Sequence, residues 1–140
     1  MNPIQPFHLA IPVNNVAQCQ IFYREIIGCQ EGRSSDHWVD FNFYGHQLVI
    51  HYKKGKQEEA STNSVDGKEV PIPHFGVVLT MEQFETLSKK LKRKNIQFII
   101  APYIRFKGEL GEQATMFFKD PSGNALEFKA FKNIDQLFAS

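Results

Sequence analysis

The sequence predicts an α+β protein in which two βαβββ modules pair into a curved mixed sheet. Apolar residues alternate with period two in most segments, and in one segment of each half they recur at three and four residues. The two halves also show the same order of elements. Because each half alone would leave one sheet face uncovered, pairing of the halves is the expected route to a buried core. We therefore expect a single domain over residues 1–140.

The first module is expected at about residues 5–53. A strand from Phe7 to Val13 precedes a helix that begins at Asn14 or Asn15 and ends at Gly28. The apolar alternation then predicts three further strands, at Cys29 to Arg33, Trp38 to Phe43 and Gln47 to Lys53.

The second module is expected at about residues 71–131. Its helix should begin at Thr80, since Thr80 and Gln83 have the spacing of a capping box, and it should end near Asn95. A strand is predicted before the helix and three after it, at Pro73 to Leu79, Ile96 to Ile100 with an edge or bulged continuation toward Arg105, Gln113 to Lys119, and Asn124 to Phe131.

Two segments lie outside the modules. Residues 54–70 are polar and charged, and we interpret them as a surface linker between the halves. The tail, residues 132–140, is expected to form a short helix that docks through Leu137 and Phe138.

Composition and charge exclude several classes of function. A net charge of +1 and a pI of about 7.8 give no electrostatic case for binding nucleic acid or an anionic membrane. No segment approaches the roughly 18 apolar residues of a membrane span, and the N-terminus lacks the basic region of a signal peptide. Cys19 and Cys29 form neither a disulfide framework nor a zinc spacing. We expect a soluble, cytoplasmic protein whose partners are small molecules.

The segment KDPSGNALEFKAF places an acid inside the protein. Asp120 to Asn124 should form a turn, and Glu127 follows in mid-strand between Leu126 and Phe128. An unpaired carboxylate there would be costly, so Glu127 requires a partner. A metal ion is one candidate.

The internal repeat supplies candidate ligands for such an ion. Alignment of PFHLAIPV with PHFGVVL matches His8 with His74, and alignment of GHQLVIHYKK with GNALEFKAFK matches Val49 with Glu127. The sheet faces opposite the helices should then line a shared metal-binding cleft that contains His8, His74 and Glu127. Two imidazoles and one carboxylate on one side of an ion leave three positions open, as in non-haem iron(II) oxygenases.

The sequence from Phe7 to about Phe131 resembles the vicinal oxygen chelate superfamily. This superfamily includes glyoxalases, bleomycin-resistance proteins, fosfomycin-resistance enzymes and extradiol ring-cleaving dioxygenases. The DPSGN turn followed by ALEF is the most specific part of the resemblance. The resemblance is closest to the extradiol branch, and it implies iron(II) held by His8, His74 and Glu127, with manganese, zinc and nickel as alternatives. Glyoxalase-like members usually have a fourth ligand where this chain has Val49, which cannot ligate.

This resemblance implies a dioxygenase that acts on a small vicinal-diol or catechol-like substrate with dioxygen. His51 lies on the same strand face as Val49 and could act as acid or base, or as a fourth ligand after a register shift. Tyr103 could stabilise a developing anion. A carboxylate on the substrate could be received by Arg105, Lys107 or Lys129.

Two other classes of function remain open at the level of sequence. The same three ligands could hold manganese, zinc or nickel in an isomerase, lyase or thiol transferase. A metal-free protein that sequesters a drug in an aromatic cleft is the third hypothesis. Small proteins of this build often pair, so we expect a homodimer, with the site formed either within one chain or across two.

Overall fold

A computed structural model of the protein describes residues 3–56 and 61–140. The chain divides into two units. Unit 1 comprises Met1–Glu59 together with Asp120–Asn124, and unit 2 comprises Ala60–Lys119 together with Ala125–Ser140. The DPSGN turn, although it comes from the second half of the sequence, therefore belongs to unit 1.

Unit 1 contains four strands and one helical segment. Its elements are β1 (His8–Val13), α1 (Val16–Ile21) with a π-helical continuation (Phe22–Ile27), β2 (Gln30–Ser34), β3 (Trp38–Phe43) and β4 (His46–Tyr52). The strands form one sheet in the order β1-β4-β3-β2, in which β1 is parallel to β4 and the other neighbours are antiparallel.

The helical segment of unit 1 begins and ends where the sequence predicted. The Asn15 side chain accepts a hydrogen bond from the backbone N–H of Gln18 at 3.0 Å, and Gly28 ends the segment in the left-handed conformation, with φ of 89°. The π-helical turn was not predicted. A wider turn lets the consecutive residues Phe22 and Tyr23 both face the core, where they are buried.

The helix-facing side of the unit 1 sheet forms its core. Val39, Phe41 and Phe43 on β3 are each at most 4% exposed, and they alternate with the more exposed Trp38, Asp40 and Asn42. The predicted period-two pattern is confirmed for this strand. The alternate residues are left on the opposite sheet face.

Unit 2 contains the remaining elements. They are β5 (Ser61–Val65), β6 (Lys68–Ile72), β7 (His74–Phe75), β8 (Val78–Leu79), α2 (Met81–Arg93), β9 (Phe98–Arg105), β10 (Gln113–Lys119), β11 (Ala125–Phe131) and a 3₁₀ turn (Ile134–Gln136). The main sheet has the order β7-β11-β10-β9, and β8 also pairs with β11. Strands β7 and β8 are parallel to β11, whereas β10 is antiparallel to both β9 and β11.

The capping box of α2 is confirmed. The Gln83 N–H donates to the Thr80 hydroxyl, and the Thr80 N–H donates to the Gln83 side chain. The helix buries one apolar stripe, formed by Phe84, Leu87 and Leu91. This stripe covers the side of the unit 2 sheet that would otherwise face water.

The predicted linker is wrong for residues 61–70, which belong to the β5–β6 hairpin, whereas residues 54–56 lie outside any helix or strand, as expected of a linker. Asp66 and Gly67 both have positive φ, 53° and 73°, at the tip of the hairpin. This is the pattern of a two-residue type I′ turn, for which Asp-Gly is a favoured pair. The Asp66-Gly67 pair is the turn signal in this otherwise polar segment. Residues 57–60 of the predicted linker lie outside the described residues.

The single strand predicted over Pro73 to Leu79 is interrupted. Its two halves, β7 and β8, are separated at Gly76, where a Cβ atom would overlap the carbonyl oxygen of Glu127. This close backbone approach requires glycine. The docked tail is also wrong in part, since residues 134–136 form the 3₁₀ turn but Phe138 is 92% exposed.

The internal repeat is visible in the strand registers. In unit 1 His8 lies opposite Gln47, and in unit 2 His74 lies opposite Ala125. Two residues farther along the same strands are Val49 and Glu127, so their predicted equivalence is confirmed. No helix among residues 3–56 and 61–140 has the length and apolar character needed to cross a membrane.

Candidate metal centre

Glu127 lies in mid-strand on β11, as predicted, and is only 8% exposed. Both of its carboxylate oxygens have a partner. The Thr115 hydroxyl on β10 donates to Oε2 at 2.5 Å, and Nε2 of His74 lies 3.1 Å from Oε1. The partner that this buried acid was expected to need is provided in part by His74, brought to it by the parallel pairing of β7 with β11.

The second ring nitrogen of His74 determines where its proton resides. Nδ1 lies 2.7 Å from the carbonyl oxygen of Pro71. A carbonyl oxygen can only accept, so Nδ1 must carry a hydrogen. Nε2 then faces the Glu127 carboxylate with either a second proton or a bare lone pair.

Nε2 of His74 and Oε1 of Glu127 can lie this close only with a hydrogen or a metal ion between them. A lone pair on Nε2 would repel the carboxylate oxygen at 3.1 Å, so a proton or a metal ion must lie between them. An N–H to backbone carbonyl bond on the far side of the ring is the usual support of a metal-ligating histidine. The Thr115 hydroxyl orients the carboxylate in the same way. The residues present thus fit a divalent metal.

The electrostatics of the pair in the metal-free protein favour its charged form. The hydrogen bond to Glu127 raises the pKa of His74 above its ordinary value of 6.5, although burial opposes this. Burial acts to raise the pKa of Glu127, but the hydrogen bonds from His74 and Thr115 outweigh it and leave that pKa lowered. The pair therefore favours a protonated His74 beside an ionised Glu127.

His8, the third predicted ligand, lies in unit 1 on β1 and is exposed. Its Nδ1 lies 2.8 Å from Oε1 of Gln47 on β4. Within the described part of the chain, no three His, Cys, Asp or Glu side chains are grouped so as to hold a metal. The structure thus brings together two of the three predicted ligands, His74 and Glu127.

Tyr103 and Arg105, both on β9, are held by an acid that sequence analysis missed. The Arg105 Nε donates to Oδ2 of Asp66 at 2.6 Å, and the Tyr103 hydroxyl donates to the same oxygen at 3.1 Å. Burial and Asp66 raise the pKa of Tyr103 above 10.0. Asp66 is the first residue of the hairpin turn, so the overlooked Asp-Gly turn was the signal that could have found it.

The other predicted site residues are more dispersed. Lys129 is half-buried on β11 opposite Thr115, and its charge acts to lower the pKa of both Glu127 and His74. His51 is exposed near the end of β4, opposite Trp38 and Pro12. Lys107 is exposed in the loop after β9. Within unit 2, the charge of Lys129 therefore acts on the His74–Glu127 pair.

Comparison with known proteins was made for sequence and for structure. The family model described as the Glyoxalase/Bleomycin resistance protein/Dioxygenase superfamily matches residues 5–128. A glyoxalase/bleomycin resistance protein/dioxygenase from Alicyclobacillus acidocaldarius is 32% identical, with a TM-score of 0.81 and 98% of each chain covered. No functionally curated protein matches the chain.

Two further solved structures share the fold at low identity. Lactoylglutathione lyase from Agrobacterium tumefaciens is 13% identical, with a TM-score of 0.67 and full coverage of both chains. A genomically encoded fosfomycin resistance protein from Listeria monocytogenes is 14% identical, with a TM-score of 0.67 and coverage of 97% of this chain and 98% of that one. Likeness at this level shows the fold alone. On the family match over most of its length, the chain belongs to the Glyoxalase/Bleomycin resistance protein/Dioxygenase superfamily.

Proposed function

We propose that the protein is a divalent-metal-dependent enzyme that holds iron(II) through His8, His74 and Glu127 and acts as an extradiol-type dioxygenase. The observation that carries the proposal is the contact between Nε2 of His74 and Oε1 of Glu127. Because Nδ1 of His74 donates to the Pro71 carbonyl, only a proton or a metal can lie in that contact.

The number of protein ligands supports this class of enzyme. Val49 occupies the position in unit 1 that Glu127 occupies in unit 2, and it is apolar and buried. The chain thus offers three candidate ligands rather than four. Three ligands on one side of an ion leave room for two adjacent substrate oxygens and for dioxygen. When bound, iron(II) would supply Lewis-acid activation of the diol and the electrons for dioxygen chemistry.

The remaining residues of the proposed site act on the substrate. His51 is accessible near the end of β4, and its imidazole could act as an acid or a base. Lys129 is the candidate for receiving a substrate anion, since its charge already acts on Glu127 and His74. Tyr103 and Arg105 donate to Asp66, so they would bind a substrate anion only by exchanging that carboxylate for it.

The proposal predicts that Glu127→Gln abolishes tight metal binding while the protein remains folded. The substitution removes the negative charge and replaces one accepting oxygen by a donating amide group, but it keeps the size of the side chain. Metal content of protein purified without oxygen, measured by elemental analysis, is the readout. Glu69→Gln, on the exposed face of the β5–β6 hairpin, is the matched control and should retain the metal. Full metal content in Glu127→Gln would show that Glu127 is not a ligand.

The reaction is tested on the wild-type protein loaded with iron(II). We expect oxygen uptake with at least one member of a panel of catechols and other vicinal diols. A redox-inert metal and no oxygen uptake would instead favour an isomerase, lyase or thiol transferase. Failure to bind manganese, iron, nickel or zinc under any loading condition would contradict the metal enzyme and favour a drug-binding protein.

A further inference from the structure

We propose that Gln47 and Asp40 are positioning residues that hold His8 in the tautomer able to ligate a metal through Nε2. This inference rests on the proposed function, because His8 matters as a ligand only if the protein binds a metal. The two residues form a chain of hydrogen bonds that runs from β3 across β4 to β1 in unit 1. Neither was among the predicted site residues.

The geometry of the chain follows from the strand registers. Gln47 lies directly opposite His8, and its Oε1 is 2.8 Å from Nδ1 of His8. Asp40 lies opposite Val49, one diagonal step from Gln47 on the same sheet face. The Gln47 Nε2 donates to Oδ2 of Asp40 at 3.2 Å. The three side chains are thereby linked in the order Asp40, Gln47, His8.

The direction of each hydrogen bond is determined by Asp40. An ionised carboxylate can only accept, so it must face the NH₂ group of Gln47. The amide oxygen of Gln47 is then turned toward His8. Because an amide oxygen can only accept, Nδ1 of His8 must carry a hydrogen, and in the neutral ring Nε2 then keeps its lone pair.

His74 likewise carries a hydrogen on Nδ1, but through a different contact. Its Nδ1 donates to the carbonyl oxygen of Pro71 instead of to a side chain. His8 and His74 occupy equivalent positions of the internal repeat. A ring held only for surface packing could take either tautomer, whereas two ligands that bind through Nε2 need the same one.

The Asp40 carboxylate lies in a partly buried position beside Gly32. Asp40 is half-buried, and its Oδ1 is covered without a hydrogen-bond partner among the residues that the structure describes. Gly32 on β2 lies beside it, at a point where a Cβ atom would come within 3.2 Å of Oδ2. Glycine at this position leaves Oδ2 open to the amide of Gln47.

Asp40→Asn tests the proposal in the metal-free protein. An asparagine side chain can donate as well as accept, so the Gln47 amide is no longer forced into one orientation. We expect the nitrogen chemical shifts of the His8 ring to show a mixture of tautomers, whereas the wild type shows a hydrogen on Nδ1. Asp36→Asn makes the same change of charge at an exposed position of unit 1 and should leave the His8 signals unchanged. Unchanged His8 signals in Asp40→Asn would overturn the proposal.

Metal affinity provides a second readout with zinc as the probe ion. We expect Asp40→Asn to weaken zinc binding by about 10- to 100-fold, the usual effect of removing a group that supports a ligand. Adding Gln47→Glu to Asp40→Asn should restore both the tautomer and most of the affinity, since the new carboxylate can only accept from His8. Failure of this double variant to recover would also overturn the proposal.

The two hypotheses fail in different ways. If wild-type protein binds none of zinc, iron, manganese and nickel, the proposed function fails, but the tautomer measurement still decides whether Asp40 and Gln47 control His8. If wild-type protein binds zinc and Asp40→Asn binds it equally well, the positioning role fails while the proposed function stands. Circular dichroism of each variant confirms that the comparison is made between folded proteins.

Discussion

The properties of single residues in this chain depend on partners distant in sequence. His74 is a half-buried histidine whose two ring nitrogens face the Pro71 carbonyl and the Glu127 carboxylate. Glu127 is buried on a strand whose neighbours are apolar, yet it is fully hydrogen-bonded. Paired in this way, each residue stabilises the charged state of the other.

This coupling predicts a pH dependence of stability in the metal-free protein. The pKa of His74 is raised and that of Glu127 is lowered. The contribution of the pair to the free energy of unfolding is therefore fully present between their ordinary pKa values of 4.5 and 6.5. It is lost as the pH rises through the pKa of His74 and as it falls through the pKa of Glu127. We expect the difference in free energy of unfolding between wild type and Glu127→Gln, from urea titrations, to be largest in that window. A difference independent of pH would contradict this.

A second residue-scale prediction concerns the DPSGN turn. The Tyr23 hydroxyl donates to Oδ2 of Asp120 at 2.7 Å, and both side chains are buried. Tyr23→Phe leaves one oxygen of a buried carboxylate without this donor, which should cost about 1–3 kcal/mol of unfolding free energy. Tyr52→Phe, at a side chain that is 47% exposed, should change little. Equal stability of Tyr23→Phe and wild type would show that this hydrogen bond is dispensable.

At the scale of elements, the β5–β6 hairpin is attached to β9 by Asp66. This single side chain accepts from Tyr103 and Arg105, while the Lys68 ammonium lies 4.7 Å from the centre of the Tyr103 ring. Val70 on β6 packs with Ile100 and Phe117 in a small apolar cluster. A segment that reads as polar in sequence is thus part of the packing of unit 2.

Removing the Asp66 charge should change the ionisation of Tyr103. Burial and Asp66 both raise its pKa, so in Asp66→Asn that pKa should move back toward 10.0. Ultraviolet titration of the tyrosines, with Tyr103→Phe used to assign the signal, measures the shift. Asp135→Asn, an exposed change in the same unit, is the control. An unaltered Tyr103 titration would show that Asp66 does not govern this side chain.

At the scale of the whole molecule, we propose that the protein is a homodimer. Ile4 and Phe7 precede the edge strand β1 and are 86% and 65% exposed, which favours association of apolar surface. Analytical ultracentrifugation should give twice the chain mass of 16.1 kDa. A single species at the monomer mass would contradict the proposal.

The dimer also allows the origin of the third ligand to be tested. A mixture of His8→Ala and Glu127→Gln contains copies that keep Glu127 and copies that keep His8. After unfolding and refolding together, recovered zinc binding would show that the ligands of one site come from two copies. If the mixture binds no better than either variant alone, all three ligands come from one copy.

Much of this architecture could be predicted from the sequence. The apolar periods, the Asn15 and Thr80 caps and the Gly28 stop act over a few residues, so they determine the helices and most of the strands without reference to the rest of the chain. The alignment of His8 with His74 and of Val49 with Glu127 also came from sequence, because repeated modules pair their strands in the same register.

Only the tertiary structure decided what these residues contact. The Tyr23–Asp120 bond joins positions 97 residues apart, and the placement of the DPSGN turn in unit 1 depends on it and its neighbours. The acceptors that determine the tautomers of His8 and His74 are an amide on a neighbouring strand and a backbone carbonyl. Local patterns specify which face a side chain takes, whereas a hydrogen-bond partner is known only once distant segments have packed together.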